Sequence, residues 1–236
     1  MTFVGKMGKL VLLLLIVASV TVAAGAAAIE SAQRKAPATA VTMAPPASRL
    51  PGGDDSLLYM ADWSQASHGW PTALGWSSQG ALLQNDGSDF GSSNWNGGVW
   101  NNHWIFAPYL LPKGLSDYAV EAEIQMLHRP ACGSFGLVAR GAYQLGVHVC
   151  DAGMEPTLSM RSRAPQILRN ISFDPGDTWH AYRIEVREGH IGASIDGIQV
   201  IDRYDANYGR SGSVGLWDDH TEIAVRQFRV QAPRNL

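Results

Sequence analysis

The sequence predicts an all-β fold, a two-sheet antiparallel sandwich, and three observations carry that expectation. From Leu57 onward no window keeps the apolar period of a helix, whereas runs alternating apolar and polar residues recur to the end. About ten such runs fit into roughly 175 residues with turn formers between them, which is the cadence of a sandwich rather than of strands alternating with helices. Charged residues make up only 17% of the chain, which holds 25 glycines and 8 tryptophans; an ordinary soluble domain is about 25% charged. With a formal net charge of −3, this composition excludes a basic nucleic-acid binder, a coiled coil and a charge-rich disordered chain.

The elements follow in chain order. Lys6 and Lys9 precede an uncharged run from Leu10 to Ile29 whose most apolar part, Leu10 to Val17, comes first. That is the order of a signal peptide, with Ala26-Ala27-Ala28 as its cleavage site. An uncleaved apolar anchor helix is the other reading, since such a run at about 1.5 Å per residue just spans a hydrocarbon core of roughly 30 Å. Residues 1–29 are therefore a signal peptide or membrane anchor, and either one puts the remainder outside the cytoplasm, secreted or held at the cell surface. Residues 30–56 are rich in Ala and Pro, bury little, and predict a disordered tether. The sandwich domain occupies residues 57–232.

Within it, Tyr118 to Met126 sets Val120, Ala122, Ile124 and Met126 against Ala119, Glu121, Glu123 and Gln125. Similar alternation predicts strands at Phe135 to Ala139, Tyr143 to Val149, Thr157 to Arg161, His180 to Val186, His190 to Asp196, Gln199 to Asp202, Ser213 to Trp217 and Ile223 to Val230, with a further strand from Trp104 to Leu111. One hairpin can be set in register. Centred on Gly141, it puts Phe135 opposite Val147, Leu137 opposite Leu145 and Ala139 opposite Tyr143 on one apolar face. Cys132 then falls opposite Cys150 on the other face, and the chain has no other cysteine. Directly opposed strand positions bring Cβ atoms close to bridging range, so a Cys132–Cys150 disulfide is expected in an oxidising compartment.

The order of Leu58-Leu-Tyr-Met-Ala-Asp62-Trp63-Ser, Ser67-His-Gly-Trp70, Trp76-Ser-Ser-Gln-Gly80, Asp117-Tyr-Ala-Val-Glu-Ala-Glu-Ile-Gln125, Phe135-Gly-Leu-Val-Ala-Arg140-Gly141, Asp177-Thr-Trp179-His-Ala-Tyr-Arg-Ile-Glu-Val186, Ile195-Asp-Gly-Ile-Gln-Val200 and Gly212-Ser-Val-Gly-Leu-Trp217 resembles the laminin-G-like jelly roll of the concanavalin A-like lectin/glucanase superfamily. It is similar in particular to the branch related to family 16 glycoside hydrolases and to 3-keto-disaccharide hydrolase domains. The resemblance implies two curved sheets, with sugars bound on a concave face or its rim loops, and core roles for Trp63, Trp70, Trp76 and Trp179. The motifs specify a fold more than an activity. Catalytic family 16 enzymes carry Glu-x-Asp-x-x-Glu, whereas the acidic strand here reads Glu121-Ala-Glu123-Ile-Gln125-Met. Glu121 and Glu123 share a strand face at about 6.5 to 7 Å, beyond the roughly 5 to 5.5 Å of retaining carboxylate pairs and at the low end of the inverting range.

Residues on the non-core parity make the candidate binding surface: Glu121, Glu123, Gln125, Arg140, Gln144 and His148 as a polar floor, or alternatively a solvated outer wall. Trp217 also has non-core parity, as a sugar-stacking platform or a cap on the core edge. Gln84 to Trp104 interleaves Asn85, Asp86, Asp89, Asn94, Asn96, Asn101 and Asn102 with Phe90, Trp95, Trp100 and Trp104. Aromatic platforms and neighbouring amides suit hydroxylated ligands, and Trp95 and Trp100 are the candidates there. Asp86 and Asp89 are a weak calcium pair without the spacing of an EF-hand, and no other cofactor is implied. No phosphate loop or nucleophile elbow occurs. The function expected is a carbohydrate-binding jelly roll without catalysis, exported or membrane-tethered. A glycoside hydrolase using Glu121 and Glu123 and a non-catalytic surface adhesion module are the alternatives.

Overall fold

Alternation leaves each strand one face to bury, and stacking two antiparallel sheets buries them all at once. The computed structural model describes residues 57–64, 67, 69–72, 75–88, 104–113, 115–150, 155–161, 167–205 and 212–232. The leader, the tether, Asp89, Trp95 and Trp100 lie outside the described residues. The strands are β1 (Leu57–Met60), β2 (Trp76–Gln79), β3 (Leu82–Asp86), β4 (Trp104–Phe106), β5 (Tyr118–His128), β6 (Cys132–Ala139), β7 (Tyr143–Cys150), β8 (Thr157–Arg161), β9 (Ile167–Ser172), β10 (His180–Arg187), β11 (His190–Ile195), β12 (Ile198–Tyr204), β13 (Gly215–Asp219) and β14 (Glu222–Gln231). The larger sheet runs β12-β11-β10-β5-β14-β3-β2, with β1 also pairing β14, and the smaller runs β4-β13-β6-β7-β8-β9.

The core lies between them. Val120, Ala122 and Ile124 of β5, Tyr182, Ile184 and Val186 of β10, and Phe228 and Val230 of β14 come from the larger sheet. Phe135, Leu137, Leu145, Val147, Leu158, Met160 and Leu216 answer from the smaller, and all of these side chains are buried. Each fully buried aliphatic or Phe side chain of this kind contributes roughly 1.5 to 3 kcal/mol. Trp63, Trp70 and Trp76 are buried with them. Trp179 is not a core residue; it is half-buried and the Arg226 guanidinium sits 4.6 Å above its ring.

The hairpin stands in the register expected, with Phe135 opposite Val147, Leu137 opposite Leu145 and Ala139 opposite Tyr143. Cys132 faces Cys150 and the two are bonded. The strand expected from Trp104 to Leu111 stops at Phe106. Ala107 still donates its N–H to the Val214 carbonyl at 2.9 Å, but Pro108 and Pro112 have no N–H to extend a ladder.

Arg140 leaves the sheet altogether. It and Gly141 turn the hairpin, both with φ of 57°, the left-handed region where a non-glycine residue needs support. The support is specific: the Arg140 N–H donates to the Tyr118 hydroxyl at 2.8 Å and its Nη2 to the Ser116 carbonyl at 2.7 Å. Burial pushes the Tyr118 hydroxyl pKa up to about 12 despite the bond from Arg140, so it stays protonated.

Candidate functional site

The polar residues expected to form one floor fall on two opposite outer faces of the sandwich. β5 belongs to the larger sheet and β7 to the smaller. Glu121 and Glu123 therefore point away from the core on one side, Gln144, His148 and Trp217 on the other. Arg140 joins neither set.

The face of the larger sheet is a ladder of ion pairs. Glu121 lies between Arg183, at 3.3 Å, and Arg229. Arg183 also donates to Gln231 at 2.7 Å and pairs with Glu185 at 3.2 Å. Glu123 pairs with Arg226, the extra residue of a bulge between Val225 and Gln227, and Gln125 donates to the Asp177 carbonyl at 2.6 Å. Both candidate carboxylates are thus engaged by guanidinium groups on a partly solvated sheet surface.

The face of the smaller sheet is of a different kind. One row crosses all its strands: Trp104 opposite Trp217, Trp217 opposite Gly136, Gly136 opposite Gly146, Gly146 opposite Ser159, and Ser159 opposite Asn170. The missing side chain at Gly146 leaves a trough that the Trp217 indole fills, while the Cβ position of Gly136 is taken up by the Leu145 carbonyl. A Cβ on Gly146 would stand 2.2 Å from Trp217 Cζ2, and Trp217 Nε1 donates to the Leu145 carbonyl at 3.4 Å. The next row carries Asp219, Ser134, His148, Thr157 and Ser172, with the Asp219 carboxylate 2.7 Å from His220 Nδ1. The His148 ring is 6.1 Å from that of Trp217, and its Nε2 lies 3.1 Å from Ser159 Oγ.

Much of this face is buried: Ser134, Gln144 and Ser159 are 1%, 4% and 2% exposed, and Trp217 is 7% exposed. Ordinary outer faces of sheets carry solvated charges, as the larger sheet does here. A face of hydroxyls, an amide, an imidazole and an indole, with the Asp219 carboxylate at its edge, is instead chemically suited to a hydroxylated partner. Ser134, Ser159 and the two glycines were not singled out from the sequence. The hairpin register nonetheless contains the trough, because pairing about Gly141 sets Gly136 against Gly146 on the non-core side.

Asp86 closes β3, where its carboxylate accepts bonds from the Ser88 hydroxyl and, at 2.9 Å, from the Ser88 N–H. Those bonds lower its pKa. The neighbouring Asn85 Oδ1 accepts from the Gly87 N–H at 2.8 Å, so both side chains cap the turn that follows. Among the described residues no group of three or more His, Cys, Asp or Glu side chains converges as a metal site.

No protein-family profile matches the chain, and no curated protein matches it. Solved structures do match by shape. A protein from work on endo-acting O-glycanases that prominent members of the human gut microbiota express to initiate mucin breakdown is 10% identical over 76% of this chain and 100% of its own, with a TM-score of 0.51. A functionally unknown protein from Saccharomyces cerevisiae is 13% identical over 74% of this chain and 100% of its own, with a TM-score of 0.50. The carbohydrate-binding module CBM66 from Bacillus subtilis is 14% identical over 70% of this chain and 96% of its own, with a TM-score of 0.49. At these identities the likeness is one of fold, a two-sheet antiparallel β-sandwich.

Proposed function

We propose that this chain is an exported or membrane-tethered carbohydrate-binding protein whose ligand lies on the outer face of the smaller sheet. The observation that carries the reading is the glycine trough with Trp217 lying in it, walled by His148, Gln144 and Ser159. A flat indole offers a sugar ring an apolar face, while hydroxyl, amide and imidazole groups within the same recess give hydrogen bonds to its hydroxyls. Trp95 and Trp100, from the aromatic loop that precedes β4, are proposed to complete the site. The Cys132–Cys150 bridge supports export, because such bonds persist in oxidising compartments.

Glu121 and Glu123 are not part of this proposal. Their ion pairs put them on the opposite face, and Arg140 is spent on the hairpin turn. The test is a glycan array followed by titration calorimetry on the secreted chain. A Trp217→Ala variant is expected to bind at least about tenfold more weakly, the loss of ~1.4 kcal/mol or more that one central aromatic contact supplies. Failure to bind any glycan, or binding that survives Trp217→Ala unchanged, overturns the assignment. Hydrolysis of the same panel that disappears in Glu123→Gln would replace it with the enzymatic reading.

A further inference from the structure

The β9–β10 connection carries the chain from the edge of the smaller sheet, at Ser172, to the larger sheet, at His180. His180 is the first residue of β10 and its ring is held on both sides. Nδ1 lies 2.7 Å from Asp196 Oδ2, and Nε2 lies 3.0 Å from the Pro175 carbonyl oxygen and 3.0 Å from Thr178 Oγ1. A carboxylate and a carbonyl are both acceptors, whereas a neutral imidazole has a single N–H to give. Both bonds exist together only while the His180–Asp196 pair retains one proton beyond the neutral ring and the carboxylate.

Asp196 is itself fixed. It occupies the β11–β12 turn with φ of 52°, its Oδ1 accepts the Ala181 N–H at 2.8 Å, and its own N–H donates to the Ala181 carbonyl at 2.8 Å. His180 and Asp196 side chains are 16% and 9% exposed, so water offers the ring little substitute for a lost partner. On β10 the fully buried Tyr182 ring is 6.3 Å away and its hydroxyl pKa is raised well above the ordinary value by burial, with the Asp196 charge adding to it. From the connection, Phe173 packs edge-on at 5.5 Å, Asp174 turns to Arg129 and the Gly176 N–H, and the Asp177 carbonyl accepts from Gln125. From β5 the residue opposite is Ile124. Among the described residues the only charge that meets the ring is Asp196.

We infer that His180 is a proton-operated latch that pins the β9–β10 connection to the β11–β12 turn, closed when the imidazole is charged and released when it is neutral. The bond to Asp196 raises the His180 pKa against the lowering effect of burial. The sign follows: the stabilisation is full below the ordinary histidine value of 6.5 and is lost as pH rises through the raised value in the folded protein. On release Pro175 loses its donor and the Thr178 hydroxyl, 3.0 Å from Nε2, becomes the donor to the ring, while Asp196 keeps Ala181, so the loosening is confined to the connection around Pro175. Because that connection leaves β9 directly after Asn170 and Ser172, it holds the edge of the smaller sheet on which the proposed ligand face ends.

The experiment is imidazole nitrogen NMR together with amide exchange on the full chain, corrected for the intrinsic pH dependence of exchange. Both His180 ring nitrogens are expected to be protonated at about pH 6, and protection of residues 173–178 to fall about tenfold or more by about pH 9. Asp196→Asn keeps an acceptor for Ala181 and a residue tolerant of positive φ. In that variant the His180 pKa is expected to drop and the protection of the connection to lose its pH dependence, because the amide that replaces the carboxylate can donate to Nδ1 and leave the single N–H of a neutral ring, on Nε2, for the Pro175 carbonyl. A His180 ring that is a single neutral tautomer at about pH 6, or pH-dependent protection that persists in Asp196→Asn, overturns the latch.

Discussion

Replacing Gly146 with Ala tests the trough directly. The backbone at Gly146 has no positive φ, so alanine is conformationally acceptable and alone would gain about 0.5 to 1 kcal/mol over a strand glycine. The new methyl, however, would stand 2.2 Å from Trp217 Cζ2, 3.0 Å from Cη2 and 3.2 Å from Cε2. Contact begins near 3.5 Å, so the indole must move by more than about 1 Å. It is rigid, 7% exposed and tied to the Leu145 carbonyl. Overpacking of this kind costs about 1 to 3 kcal/mol and the lost hydrogen bond about 1 kcal/mol more. After the strand gain is subtracted, a net loss of about 1 to 3 kcal/mol is expected. In a Trp217→Ala background the obstacle is gone, and the same substitution should become neutral or stabilising by about 0.5 kcal/mol. Urea unfolding of the four proteins, followed by far-UV circular dichroism so that loss of a tryptophan does not bias the signal, gives the cycle. Additive effects, or a Gly146→Ala chain as stable as the parent in the presence of Trp217, would refute the placement of the indole on the trough.

Other outcomes follow from other parts of the molecule. Replacing Cys132 and Cys150 with alanine is expected to remove about 2 to 4 kcal/mol, read as a lower urea midpoint, and thiol titration of the unreduced, unfolded chain should find no reactive cysteine in the parent. Tyr118→Phe leaves the buried Arg140 N–H without its acceptor and should cost about 1 to 3 kcal/mol in the same assay. Asp196 supplies an acid limb to stability. Burial acts to raise its pKa, but the bonds from His180 and the Ala181 N–H prevail and lower it. Its contribution is therefore present above the ordinary value of 3.8 and lost as pH falls through the lowered one, so Asp196→Asn should flatten the acid side of a plot of melting temperature against pH. Glu123→Gln should leave glycan binding unchanged, since its partner Arg226 is on the face opposite Trp217; a loss of binding would argue for a site on the larger sheet.

Alternation by two reports whether a side chain points toward the core or away, and that is a local property of the strand. It sufficed for the hairpin, because β6 and β7 are joined by one tight turn: Gly141 fixes the register, and the register alone sets Leu137 against Leu145 and Cys132 against Cys150. The sandwich class was legible for the same reason, being written in short-range patterns, whereas the core roles of Trp63, Trp70 and Trp76 were expected from the family resemblance. The leader and tether were read from composition alone, and the structure adds nothing to that reading.

What alternation does not encode is which of two sheets a strand enters. Glu123 and His148 have the same outward parity and sit close in sequence, yet they end on opposite sides of the molecule. β5 is held between β10 and β14, with Val120 opposite Val230 and Ile184, while β7 joins β6 and β8. Those partners of β5 lie far along the chain, and their choice is made by how the two sheets close over a shared core, not by any local signal. The same long-range pairing lays Trp217 of β13 against Gly146 of β7. The sequence by itself determined the class of fold, the hairpin and its bridge. Only the tertiary structure divided one imagined polar floor into an ion-paired wall and a largely buried face around Trp217, because only there do strands remote in sequence become neighbours.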